Sequence, residues 1–170
     1  MTVMDSTDLD RTTAFDYLVY LRATPDQVWE ALTEPAHTSR YWGLTLHSDW
    51  KPGSTVVWQG MGLGDPDPEQ VVLAAEPGRS LSFTWHTFTP AFAEAVGMDE
   101  ELRARLAAES RSKIAYDIEP TGPTVTRLHL VHDGFDPGST VLAMIREGWP
   151  SVLSSLKSLL ETGEPLPELA

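Results

Sequence analysis

One helix near the C-terminal end constrains this chain more than any other feature. Leu142, Ile145, Trp149, Val152, Leu156 and Leu159 alternate three and four residues apart. That spacing draws one continuous apolar stripe along a helix from about 138 to 162. A stripe this long needs a broad apolar partner, and a sheet with one apolar face is such a partner. Asp136-Pro137 or Ser139 can start the helix and Gly163 can end it. Pro150 lies inside and cannot donate to the Arg146 carbonyl, which predicts a kink near Gly148-Trp149-Pro150.

The middle of the chain supplies the sheet. Residues 15–22 read as a first strand. Thr24, Pro25 and Gln27 then form a capping box with proline at the first helical position. Val28, Trp29 and Leu32 give that short helix its apolar face, and Glu34-Pro35 restarts the chain as a second short helix reaching Tyr41-Trp42. Strands are expected near 55–59, at 70–76, 80–88, 113–119 and 124–132, separated by Pro- and Gly-rich turns. Gly60, Gly62, Gly64 and Asp65-Pro66-Asp67-Pro68 read as a long hairpin connection. Residues 89–112 interrupt the strands. Met98, Leu102 and Leu106 behind the acidic turn 99–101 predict one short amphipathic helix there, a lid, a dimer contact or decoration.

Alternation assigns the strand faces. The inward sets are Val56 and Trp58; Leu81, Phe83 and Trp85; Ile114, Tyr116 and Ile118; and Thr126, Leu128, Leu130 and His132. The fold class is therefore α+β: a curved antiparallel sheet wrapped around a long C-terminal helix. The expected division is an extended or disordered arm over 1–13, one domain over 14–163 and a tail over 164–170.

Composition narrows the function. Net charge is −13, and such an acidic surface repels phosphates, so no nucleic-acid or membrane partner is expected. No run approaches a membrane span and the first ten residues lack a basic, apolar leader, which predicts a cytoplasmic protein. Cysteine is absent, which excludes thiol catalysis and disulfides. No Gly-x-Ser-x-Gly elbow anchors a hydrolase, and the 60–64 glycines precede no helix that could cradle a nucleotide. Nothing calls for a cofactor. The acidic runs at 65–69 and 99–101 read as solvated surface.

Several segments together resemble a known family. They are Ala-Thr-Pro-Asp-Gln-Val-Trp-Glu-Ala-Leu-Thr at 23–33, Tyr41-Trp42, and Asp49-Trp50-Lys-Pro-Gly53. Glu76-Pro-Gly-Arg-Ser-Leu-Ser-Phe-Thr-Trp85, Ile118-Glu-Pro120 and Thr126 to Phe135 continue the series, and Gly148-Trp149 with Leu153 to Glu161 closes it. In order and spacing the chain resembles the START-like (SRPBCC) superfamily, in the branch named after activators of heat-shock-protein-90 ATPase, single-domain bacterial type. The resemblance implies the helix-grip fold and a cavity between the sheet and the long helix. Its lining would come from Trp42, Trp58, Phe83, Trp85, Tyr116, His132, Met144, Ile145 and Trp149. Aromatic walls suit a small hydrophobic, aromatic ligand, in an accessory role in stress response or regulation. They are equally what a filled core would contain.

Two other functions are compatible with the residues. A cyclase or dehydratase of the polyketide type would use His132 and Tyr116 as an acid/base pair. A co-chaperone-like or regulator-binding protein would use the acidic surface, and a homodimer is compatible with the resemblance. His132 is the one inward histidine, with a bond to backbone near Asp133-Gly134 as its structural role; His86 is expected outward. His129 and His132 leave opposite faces and cannot share a metal, and no metal site is expected.

Overall fold

The computed structural model describes residues 10–60 and 66–168. Residues 1–9 of the arm expected over 1–13, the turn residues Gly62, Gly64 and Asp65, and the last two residues of the tail lie outside the described residues. Seven strands and five helices follow in the order β1 (Ala14–Leu21), α1 (Pro25–Thr33), α2 (Pro35–Tyr41), β2 (Thr45–His47), β3 (Val57–Gln59), β4 (Val72–Glu76), β5 (Ser80–Thr84), α3 (Pro90–Val96), α4 (Glu100–Ala107), β6 (Lys113–Pro120), β7 (Thr126–Asp133) and α5 (Thr140–Thr162).

Five strands make one curved antiparallel sheet in the order β1-β7-β6-β5-β4. Strands β2 and β3 form a separate ribbon. It is tied to β4 by the Thr55–Val71 bridge and by Val56 N–H donating to the Gln70 carbonyl at 2.8 Å. The register sets Ile114 opposite His132, Tyr116 opposite Leu130 and Ile118 opposite Leu128. All these side chains are buried, as are Leu81, Phe83, Trp85 and Thr126, so the alternation places the inward faces as expected.

The long helix lies against this face. Leu142, Ile145, Trp149, Leu156 and Leu159 are buried along it. Leu153, outside the expected stripe, is buried too, whereas Val152 is half-buried beside it. The buried band is wider than a strict three-four alternation because the curved sheet covers more than one edge of the helix. Ser139 is the N-cap, its Oγ accepting from Leu142 N–H at 3.0 Å. Glu109 adds a second cap from a distant part of the chain, accepting from Thr140 N–H at 2.8 Å and from Ser139 Oγ. Gly163 ends the helix with φ +84°, a left-handed conformation open to glycine. The helix continues as one element through Pro150.

One expected boundary needs correction, and two elements were not foreseen. The strand assigned to 80–88 ends at Thr84. There the Thr84 hydroxyl donates to the Glu69 carbonyl at 2.8 Å and accepts from Val71 N–H at 2.9 Å, and Trp85 N–H makes a last backbone bond to the Ser112 carbonyl at 2.8 Å. The helix expected near 98–109 is α4; a further helix, α3, precedes it and ends at Gly97 with φ +69°. Thr89 and Asp99 cap them, each accepting from a backbone N–H three residues on. Strand β2 was not foreseen; three residues carry too little alternation to show.

Candidate functional site

Four of the six tryptophans gather beside the N-terminal half of α5. Trp42 ends α2, Trp85 follows β5, and Trp149 sits mid-α5 beneath them. Their ring centroids lie 5.2 Å apart for Trp42–Trp149, 5.5 Å for Trp85–Trp149 and 6.2 Å for the stacked pair Trp42–Trp85. Trp58 meets Trp85 edge-on at 4.9 Å. Beside this cluster runs an apolar cleft of about 190 Å³. Trp42, Trp85, His86, Phe88 and Phe92 line it together with Val141, Met144, Ile145, Gly148, Trp149 and Val152 of α5.

Beneath the cleft His132 is fully buried. Trp149 Nε1 donates to its Nδ1 at 3.0 Å, and its Nε2 lies 2.8 Å from Ser112 Oγ. An indole N–H can only donate, so Nδ1 holds the lone pair and the proton sits on Nε2, facing Ser112. Burial, and secondarily repulsion from His86, lowers its pKa to about 3. This neutral ring braces β7, α5 and the residue before β6. The expected bond to backbone near Asp133-Gly134 is replaced by these two side-chain partners.

The enzyme pairing expected of His132 and Tyr116 does not form: both ring nitrogens have other partners. Tyr116 lies two register steps from His132 along β6, packed edge-on to Trp149 at 6.3 Å. Burial, reinforced by Tyr41, raises its hydroxyl well above the ordinary range, so it stays protonated at neutral pH. Tyr116 and Phe83 are core residues away from the cleft wall, and Phe83 packs against Trp50 at 6.0 Å. Trp50, whose side the sequence left open, points inward: φ is +55° and Nε1 donates to the Thr33 carbonyl at 3.2 Å.

His86 is the residue that sequence reasoning missed. It was expected outward, yet it lies among Trp58 at 4.8 Å, Phe88 at 4.9 Å and Phe92 at 4.9 Å. Parity fails because the strand has already ended at Thr84. Its Nδ1 is 2.7 Å from the Thr87 carbonyl. A carbonyl can only accept, so Nδ1 carries the proton and Nε2 is left with a lone pair. Burial lowers its pKa more than the Thr87 bond raises it, so the ring is neutral at physiological pH.

His86 also borders two further hollows. One, of about 200 Å³, is polar and includes Glu109, Ser110, Arg111 and Ser112. The other, of about 30 Å³, lies between Trp58, Asp67, Gln70, Thr87 and Phe92. Asp67 belongs to the acidic run expected on the surface, but its side chain is only 9% exposed. Burial opposes its ionisation, yet hydrogen bonds from Arg111, Thr87 and Glu69 outweigh this and hold the carboxyl below its ordinary range. Arg111 donates to Asp67 Oδ2 at 2.6 Å and to the Trp85 carbonyl at 2.7 Å, fixing the wall that carries Trp85. Among the described residues no group of three or more His, Asp or Glu side chains is placed to hold a metal ion.

Residues 22–161 match the profile of the family described as Activator of Hsp90 ATPase homolog 1-like protein. The chain belongs to this family. Solved structures share the fold. The Aha1 dimer from Colwellia psychrerythraea is 17% identical, with TM-score 0.64, over 88% of this chain and 97% of that one. A conserved protein of unknown function from Enterococcus faecalis is 20% identical, with TM-score 0.66, over 95% and 80%. DynU16, a protein in the dynemicin biosynthetic locus, is 21% identical, with TM-score 0.64, over 90% of this chain and 49% of that one. A comparison with curated protein sequences finds no match. In this member of the Activator of Hsp90 ATPase homolog 1-like family the cleft lies between the long helix, the end of α2, the segment after β5 and α3, not between the sheet itself and the helix as expected. No helix among its described residues is long and apolar enough to cross a membrane.

Proposed function

We propose that this protein binds a small hydrophobic, aromatic molecule in the cleft between α5 and the Trp42–Trp85–Trp149 cluster. One observation carries the reading. Gly148 stands inside α5, where glycine costs a helix about 1 kcal/mol relative to alanine. A Cβ added there would meet nothing within 4 Å, so no close approach demands glycine. Gly148 lines the cleft, and a side chain at that position would extend into open space beside it. The chain accepts a poorer helix former where a larger residue would narrow an apolar hollow. An apolar cavity of about 150 Å³ can hold a benzene ring, so about 190 Å³ is room for an aromatic ring.

Titrating a panel of naphthalene and indole derivatives while following tryptophan emission tests this. Saturable quenching that Gly148→Leu weakens at least fivefold supports it. An unchanged emission across the panel contradicts it.

The commitment of both His132 nitrogens favours binding over the cyclase-like reading. The fold shared with a protein solved as a dimer supports a homodimer as the working assembly, and sedimentation at micromolar concentration decides between one copy and two.

A further inference from the structure

Two buried nitrogens next to the cleft have no hydrogen-bond partner among the described residues: Trp58 Nε1 and Gln70 Nε2. Both residues border the same hollow of about 30 Å³, together with His86. Gln70 is 2% exposed, so its amide has no access to bulk solvent. Its backbone is already paired, the N–H donating to the Asp67 carbonyl at 3.2 Å and the carbonyl accepting from Val56 N–H at 2.8 Å. An unpaired N–H of this kind is costly and rare in a native fold. Two beside one small hollow make it a place that suits a hydrogen-bond acceptor.

His86 borders the hollow as well, beside Asp67, Thr87 and Thr89, and by the tautomer fixed at Thr87 its Nε2 has a lone pair and no proton. The hollow and the aromatic cleft share the side chains of His86 and Phe92. Resting on the cleft reading, we infer that the aromatic ligand carries a neutral hydroxyl group, anchored by Trp58, Gln70 and His86. A hydroxyl matches this set because it accepts from the two N–H groups and donates to His86 Nε2. A carboxylate does not. It has no proton to give His86, and Asp67, ionised against Arg111, borders the same hollow. A plain hydrocarbon leaves both donors unpaired. Trp58 and Gln70 are thus specificity-determining residues, while the tryptophan cluster supplies apolar contact.

The test compares 2-naphthol, 2-methylnaphthalene and 2-naphthoate by titrating the ¹⁵N-labelled full chain and following its indole N–H signals. The expected result has the first two compounds moving the Trp85 and Trp149 signals. Only 2-naphthol moves the Trp58 signal, and it binds at least tenfold more tightly than 2-methylnaphthalene, with 2-naphthoate weaker than both. Gln70→Leu and Trp58→Phe each reduce the preference for 2-naphthol over 2-methylnaphthalene at least fivefold. Equal binding of 2-naphthol and 2-methylnaphthalene overturns the hydroxyl anchor and leaves the cleft reading standing. Tightest binding of 2-naphthoate overturns the anchor's neutrality. Binding of none of the three overturns the cleft reading and the anchor together.

Discussion

Trp149 Nε1 donates to His132 Nδ1 across 3.0 Å in the fully buried centre of the molecule. The contact joins the cleft wall on α5 to the sheet, so the shape of the cleft depends on a hydrogen bond beneath it. Replacing the indole by a phenyl ring removes the only donor that Nδ1 has among the described residues and leaves a buried lone pair unpaired. Trp149→Phe is expected to lower stability by about 2–4 kcal/mol, from the unmet acceptor and the lost volume together. Urea unfolding measures it, and a loss below about 1 kcal/mol would show that the pair carries little.

The same histidine makes stability pH-dependent. Its pKa is about 3 in the folded chain, lowered by burial and then by His86, and about 6.5 when unfolded. The unfolded chain therefore binds the proton more readily, and acid favours unfolding. The contribution is complete above about pH 6.5 and is lost as pH falls towards 3. Between pH 6.5 and 4.5 the loss from this group is about 2–3 kcal/mol. His86, lowered by burial, acts in the same direction. Urea midpoints measured across this range should fall with pH, and His132→Phe should flatten the slope whatever it does to absolute stability.

Asp67 and Arg111 form a largely buried pair at 2.6 Å that locks the 67–69 segment to the Trp85 wall. Asp67→Asn leaves the guanidinium with only the exposed Glu69 carboxylate at 3.4 Å and is expected to cost about 1–3 kcal/mol. The double variant Asp67→Asn with Arg111→Met should recover part of that loss. A double-mutant cycle with coupling below about 0.5 kcal/mol would mean that the pair is solvent-screened.

Glu109 and Ser139 cap α5 together. Ser139→Ala is expected to cost about 1 kcal/mol, and Glu109→Gln about 0.5–1 kcal/mol through the weaker interaction with the helix N-terminus. Thermal unfolding of the two single variants checks both.

Much of the fold could be read from residue spacing. The α5 stripe, the Thr24–Gln27 capping box and the inward parity of β6 and β7 all lie inside regular elements, where period and burial agree. The candidate site could be read only in part. Trp42, Trp85, Met144, Ile145 and Trp149 are brought to one cleft, with Trp58 at the adjoining polar hollow. His86 was misplaced because its segment left the sheet two residues earlier, and no periodicity survives outside a strand. Asp67 was misread because a charge run says nothing about a partner 44 residues away. Gln70 carried no signal, since an unmet donor is visible only when its neighbours are in place.

Gly148→Ala separates stability from function. It should raise stability by about 1 kcal/mol through helix propensity alone, because the added methyl meets nothing within 4 Å. Gly148→Leu should keep the fold and fill the cleft. Equal ligand affinity in the wild type and Gly148→Leu would place the binding site elsewhere.

The most direct measurement is the set of intermolecular NOEs between 2-naphthol and the protein in solution. Ring protons of the ligand should show NOEs to the Met144 methyl group, to Ile145 and to the Trp149 indole, all on the cleft wall. NOEs confined to other surfaces, or none at ligand concentrations that saturate the fluorescence change, would contradict a binding cleft between α5 and the tryptophan cluster.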